Sequence, residues 1–206
     1  IEMPTLRAVA VAGSGTVKVE AMKAGAVDAA IAGSGDIQFK GLEADRLGMK
    51  VSGSGDIVAV GRCAQASVSI AGSGDVKAAD MVAEEVKVSI AGSGDAVVNA
   101  TRRLNVSIAG SGDVKARALE ADEVKVSIAG SGDAAVQALK KLHVSISGSG
   151  DVSYVGSPEI SMSRACGSPP GILSFSAKTA TRMRSPVSRS TDAHISFRRL
   201  SRGVPS

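Results

Sequence analysis

The tripeptide Gly-Ser-Gly occurs eight times in this chain, beginning at Gly13, Gly33, Gly53, Gly72, Gly92, Gly110, Gly130 and Gly148. Successive copies are 18 to 20 residues apart. A period of that length marks an array of small supersecondary units, each burying its apolar side by stacking on its neighbours. Seven of the eight copies continue with aspartate, at Asp36, Asp56, Asp75, Asp95, Asp113, Asp133 and Asp151, and the first continues with Thr16. Two intervals combine into a 38-residue unit, one long rung followed by one short rung. Segments 72–91 and 110–129 match at 15 of 20 positions, the mark of duplication.

Alignment on the first glycine shows what the repeat buries. Two residues before it stand Val11, Ile31, Val51, Ile70, Ile90, Ile108, Ile128 and Ile146. Four before it stand Val9, Ala29, Met49, Val68, Val88, Val106, Val126 and Val144. Between these columns lie Ser69, Ser89, Ser107, Ser127 and Ser145, then Lys87, Asn105, Lys125 and His143. Alternation of period two is the signature of a strand with one buried face. It resumes after the turn, with Val76, Val114 and Val152 inward, then Ala78, Ala116 and Tyr154, while Lys77, Lys115 and Ser153 face out. The strands are too short and the repeats too alike for βαβ units. Antiparallel hairpins are compatible with the turn residues, but equal columns at equal offsets are what stacked coils require. The expected fold is all-β: a parallel β-helix, or solenoid, of about eight rungs of 18–20 residues with Gly-Ser-Gly-Asp turns. At ~4.8 Å between strands, eight rungs make a rod on the order of 40 Å long.

The core of such a rod is thin. Aromatic residues are 2% of the chain although hydrophobic residues are 44%, so short aliphatic side chains fill it. The net charge of +4 hides a division. Residues 1–160 carry 16 basic and 19 acidic side chains, whereas residues 161–206 carry eight basic ones and Asp192 alone. The basic balance belongs to the tail and supports no nucleic-acid reading of the repeats. Periodicity fades through Gly156-Ser157-Pro158, and Pro169-Pro170-Gly171 replaces the expected turn. The chain is therefore divided into a solenoid at 1–166 and a Ser/Arg-rich tail at 167–206, expected to be disordered or weakly attached. A fusion or shifted-frame remnant and a basic arm for anionic surfaces both fit that tail composition. Cys63 and Cys166 form no disulfide framework or metal pattern. No membrane-length apolar run and no secretory leader are legible in a chain that opens at Ile1.

The aspartate column is the one place where the sequence suggests chemistry. Carboxylates stacked at ~4.8 Å repel by roughly 0.9 kcal/mol per neighbouring pair in water. Hydrogen bonds to turn N–H groups would offset that, and so would bound cations, Ca²⁺ foremost. One aspartate per rung is sparse for six to eight oxygen ligands, so Asp36, Asp56, Asp75, Asp95, Asp113, Asp133 and Asp151 remain a weak candidate ladder and no metal is assigned. Lys77 and Lys115, two positions past their own aspartates, can dilute the repulsion. Eight copies of Gly-Ser-Gly between strands exclude a nucleotide loop, which occurs once and opens a helix. The serine column reads as a solvated face. His143 and His194 have no matched catalytic partner, so no catalytic residue and no cofactor is assigned.

The motif V-x-I-[AS]-G-S-G-D over residues 6–160, closed by Tyr154-Val155-Gly156-Ser157-Pro158, resembles the bacterial family named putative auto-transporter adhesin, head GIN domain. The resemblance implies a non-enzymatic β-solenoid of the periplasm, outer membrane or cell surface. Its partners would be surface or envelope components. A structural rod without a specific ligand is the alternative, and an uncapped solenoid end would template end-to-end self-association.

Overall fold

The structure, a computed structural model, describes residues 7–164, 175–176 and 192–195, with backbone alone for 117–120 and beyond 161. The expected parallel solenoid is what forms. Its strands are β1 (Ala8–Gly13), β2 (Thr16–Gly33), β3 (Asp36–Gly53), β4 (Ile57–Gly72), β5 (Val76–Gly92), β6 (Ala96–Gly110), β7 (Val114–Gly130) and β8 (Ala134–Gly148). β9 (Val152–Val155), β10 (Glu159–Arg164), β11 (Phe175–Ser176) and β12 (Asp192–Ile195) follow. From β1 to β9 every strand pairs in parallel with the next, in sequence order. From β2 to β8 each strand is a whole rung, running from just after one corner to the next, rather than two strands joined by an irregular return.

The register is the one the columns specify. Ile70, Ile90, Ile108, Ile128 and Ile146 are successive partners, and so are Val68, Val88, Val106, Val126 and Val144. The first four isoleucines are 1% exposed, while Ile146, near the last full rung, is partly buried. A one-residue slip would turn every inward column outward, and this fixes the register so firmly.

In the long rung β5 the buried positions are Val76, Ala78, Met81, Ala83, Val86, Val88 and Ile90. Steps of two are straight strand. The two steps of three, after Ala78 and after Ala83, are bends that wrap the strand round the core, and Gly-Ser-Gly makes the third corner. The short rung β6 buries Ala96, Val98, Ala100, Leu104, Val106 and Ile108 instead. Between the two rungs the register advances from Ala78↔Val98 to Ala83↔Ala100 and then to Glu85↔Arg103. The long rung thus gains three residues and gives one back, and inward parity returns at Val86↔Leu104. Within the excess, the Ala79 carbonyl accepts a hydrogen bond from the Asn99 side-chain amide of the short rung. Asn99 is the one buried polar residue among those described.

The stack has the length expected, about eight rungs, with a partial strand at each end. Where the sequence pattern fades, β9 still lies on Ala134–Gln137 and β10 lies in register on Lys141–Ile146. Gly156, at φ +121°, makes the bend between β9 and β10 that a non-glycine residue would resist. Most of the 167–206 tail, and Cys166, lie outside the described residues. Within the described part of the tail, β12 pairs antiparallel with β9, Asp192 opposite Val155 and Ile195 opposite Val152. The last strand of a parallel stack leaves its outer N–H and C=O groups unpaired, and a returning strand satisfies them.

Candidate functional site: the aspartate corner and the charged columns

At each corner the chain must turn sharply while lying against the same turn one rung away. Gly110 shows why the first residue is glycine. Its φ is +141°, and a Cβ there would collide with the Gly92 carbonyl beneath it. The third residue is glycine for a different reason. A Cβ on Gly112 would meet the Gly94 carbonyl oxygen and lie 2.9 Å from Cγ2 of Ile90. The serine between them donates its N–H to the first-glycine carbonyl of the preceding rung, as in Ser111 to Gly92 at 2.9 Å. Backbone pairing therefore continues through the corner.

The aspartates continue it further. Oδ1 of each accepts the backbone N–H of the next aspartate: Asp36 from Asp56 at 3.2 Å, Asp56 from Asp75 at 3.1 Å, Asp75 from Asp95 at 3.0 Å. The chain of bonds runs on through Asp95 to Asp113 at 2.9 Å, Asp133 at 3.0 Å and Asp151 at 2.9 Å. The sequence reading expected carboxylates bonded to turn N–H groups. The donors are one rung away, so each bond staples two rungs instead of closing one turn. The first rung shows what the carboxylate replaces: where Thr16 stands, the Asp36 N–H donates to the Gly15 carbonyl at 3.0 Å. A hydrogen bond to a charged acceptor contributes about 1.5–3 kcal/mol, against the roughly 0.9 kcal/mol of repulsion per pair. The bonds therefore outweigh the repulsion along the column. Lys77 reaches Oδ2 of Asp56 at 3.3 Å and Oδ2 of Asp75 at 3.9 Å, lowering the repulsion between these two neighbours. No cluster of three or more His, Cys, Asp or Glu side chains able to hold a metal occurs among the described residues.

A second set of columns went unread in the sequence. Seven residues before the first glycine stand Glu85, Arg103, Glu123 and Lys141, and eight before it stand Glu84, Arg102, Asp122 and Lys140. Stacking makes each column alternate in sign. Arg103 lies 2.9 Å from Glu85 and 3.8 Å from Glu123. Arg102 lies 3.2 Å from Glu84, and Lys140 lies 3.0 Å from Asp122. Glu159 continues the first column in register above Lys141. Long rungs supply the acids and short rungs the bases, so the two-rung unit is also a charge unit. The signal was present in the aligned sequence, but it becomes visible only when columns outside the core strands are read for sign.

Of the remaining sequence candidates, His143 sits half-buried in an open groove with Arg103, Glu123, Lys125, Lys141 and Glu159. Cys63 is a buried free thiol whose pKa burial pushes up to about 11. It lines a second shallow groove with Lys23, Glu43, Asp45 and Arg62, far too basic there to serve as a nucleophile near neutrality. Lys23 and Glu43 face each other at 2.8 Å, which holds the lysine above and the carboxyl below their ordinary values.

Two overlapping stretches, residues 1–116 and 101–158, match the family described as Putative auto-transporter adhesin, head GIN domain. The chain belongs to that family. No curated protein and no solved structure gives a significant match. For this head GIN domain the match covers the eight Gly-Ser-Gly corners from Gly13 to Gly150 and ends at Pro158, just before β10. The family is that of an adhesin head, and the chain is a non-enzymatic structural or adhesive surface protein. Its corners and charged columns act on the stack itself: they align rungs, join them and hold their order.

Proposed function

We propose that this head GIN domain is a binding module of the bacterial cell envelope or surface, displayed as a rigid rod and engaging surface components through its outer columns. Membership of the adhesin-head family is the observation that carries the reading. The architecture supports it. Side chains on the outer faces repeat at the strand spacing, so one contact type can be offered many times along the rod, and many weak contacts add by effective concentration. The test is adhesion. Beads coated with the folded domain are measured for retention on bacterial cells, matrix proteins and glycans. Saturable retention competed by soluble domain is expected. Retention equal to that of an unrelated β-solenoid refutes the binding role. Protease accessibility on intact producing cells tests the location, and protection from added protease places the domain elsewhere.

A structural rod without a ligand is the second reading, favoured by the alternating charge columns, whose evident effect is to bind rung to rung. A domain that adheres to nothing yet lengthens the projection of whatever it carries fits that reading.

A further inference from the structure

The outer face before each corner carries a stripe of one charge sign. From β4 to β8 one column stacks Ser67, Lys87, Asn105, Lys125 and His143 in register. Beside it, nearer the corner, stack Ser69, Ser89, Ser107, Ser127 and Ser145. Neither column holds an acid over these rungs, although residues 1–160 carry 19 acidic side chains against 16 basic ones. The acids of this face stand one column further from the corner, at Glu85 and Glu123, and both face Arg103, at 2.9 and 3.8 Å. The ammonium groups of Lys87 and Lys125 are in no ion pair with a described residue. Towards β8 the face becomes concave, where Arg103, Lys125, Lys141 and His143 line an open groove flanked by Glu123 and Glu159.

We propose that this face binds a linear acidic polysaccharide, laid along the stack axis with its carboxylates on Lys87 and Lys125. The inference rests on the reading of the domain as a surface binding module, and it adds the face and the class of ligand. Spacing and chemistry select that class. Lys87 and Lys125 are two rungs apart, about 9.6 Å at the usual strand spacing, with Asn105 between them. A sugar ring is comparable in length to one rung. A chain with an acid on every second sugar therefore sets carboxylate against lysine and hydroxyl against amide. The serine hydroxyls alongside both donate and accept, as a polyol requires. Nucleic acid fits poorly, because its charges are far denser than one cation per two rungs and these columns carry no Trp, Tyr or Phe to stack a base. Without such rings each sugar also contributes little, so affinity must accumulate along the rod and depend on charge.

Biolayer interferometry of the full chain on immobilised hyaluronan, whose carboxylates recur on every second sugar, tests the proposal. Dextran, polyglutamate and single-stranded DNA are the neutral-glycan, acidic-peptide and nucleic-acid comparisons. Saturable binding is expected, stronger on long hyaluronan than on short oligomers and stronger than on any comparison polymer. It should fall about tenfold or more as salt rises from about 50 to about 300 mM. Lys87→Glu/Lys125→Glu should weaken it by about tenfold or more, while Lys18→Glu/Lys115→Glu, the same charge change on exposed lysines of the face after the corner, should leave it within about twofold. Thermal melting by circular dichroism checks that each variant is folded, and Lys87→Gln/Lys125→Gln replaces the first if it is not. No binding to hyaluronan, equal binding to polyglutamate or DNA, or equal loss in the two double variants overturns the proposal. Bead retention distinguishes this failure from failure of the binding role. Retention that persists in Lys87→Glu/Lys125→Glu leaves the domain a binding module with its ligand on another face, and a domain retained on nothing overturns both.

Discussion

Replacing Ile108 by alanine tests the buried ladder at its most enclosed point. Ile108 is 1% exposed, as are its register partners Ile90 below and Ile128 above. Its Cγ2 also fills the space beneath Gly132, where an added Cβ would approach it to 2.9 Å. Truncation therefore opens a void whose walls are two identical side chains and a glycine backbone locked into the corner ladder. None of these can relax inward without moving a whole rung. Large-to-small core changes cost about 2–5 kcal/mol, with rigid surroundings at the upper end, so a loss of about 4 kcal/mol is expected. Ile146 makes the internal control. It occupies the same column but is only partly buried, and alanine there should cost about 2 kcal/mol. Urea unfolding followed by circular dichroism reads both. With a denaturant slope of about 2 kcal/mol per molar, the Ile108 variant should lose about 2 M in midpoint and the Ile146 variant about half that. A solenoid is a one-dimensional array, so the slopes themselves must be compared before midpoints are converted. Equal losses at the two positions, or a loss below about 1 kcal/mol at Ile108, would refute the argument from enclosure.

Five further outcomes are expected. Asp113→Asn keeps an acceptor for the Asp133 N–H and should leave thermal stability nearly unchanged, whereas Asp113→Ala should cost about 1–2 kcal/mol; equal effects would show that charge, not the staple, matters. Calorimetric titration with Ca²⁺ should give no submillimolar site, and such a site abolished in Asp113→Asn would make the column a metal ladder. Gly112→Ala forces a Cβ into the rung beneath and should cost more than about 2 kcal/mol by chemical denaturation, a prediction sunk by wild-type stability. Arg103→Glu sets three acids in a row with Glu85 and Glu123 and should cost about 1 kcal/mol at low salt, an effect that 1 M salt should largely remove if exposed charges are its cause. Cys63, with its thiol raised from 9.0 to about 11 by burial, should resist alkylation in the native state at pH 8. Because the unfolded thiol ionises first, its contribution to stability is complete below pH 9 and declines as pH rises from about 9 to 11, so a Cys63→Ala variant should lose less stability than the parent across that window.

The sequence alone was enough for the architecture, because the repeat turns a folding problem into an alignment problem. Once the glycines were superposed, Ile70 through Ile146 had to share an environment, and parallel stacking is the arrangement that gives it to them. The corner glycines were legible for the same reason. Three things were not. The donor to each aspartate lies 18 to 20 residues away, so the turn residues point to a backbone N–H but not to the rung that supplies it. The strand that ends the stack was not legible because Glu159–Arg164 lacks the glycine signature; it is held by pairing with β8, not by its own pattern. The charge columns needed the register before Glu85, Arg103 and Glu123 could be seen as neighbours. A repeated sequence specifies which residues are equivalent, since equivalence is carried by spacing. Which atoms of those residues meet depends on the rise and register between rungs, and only the tertiary structure decides that.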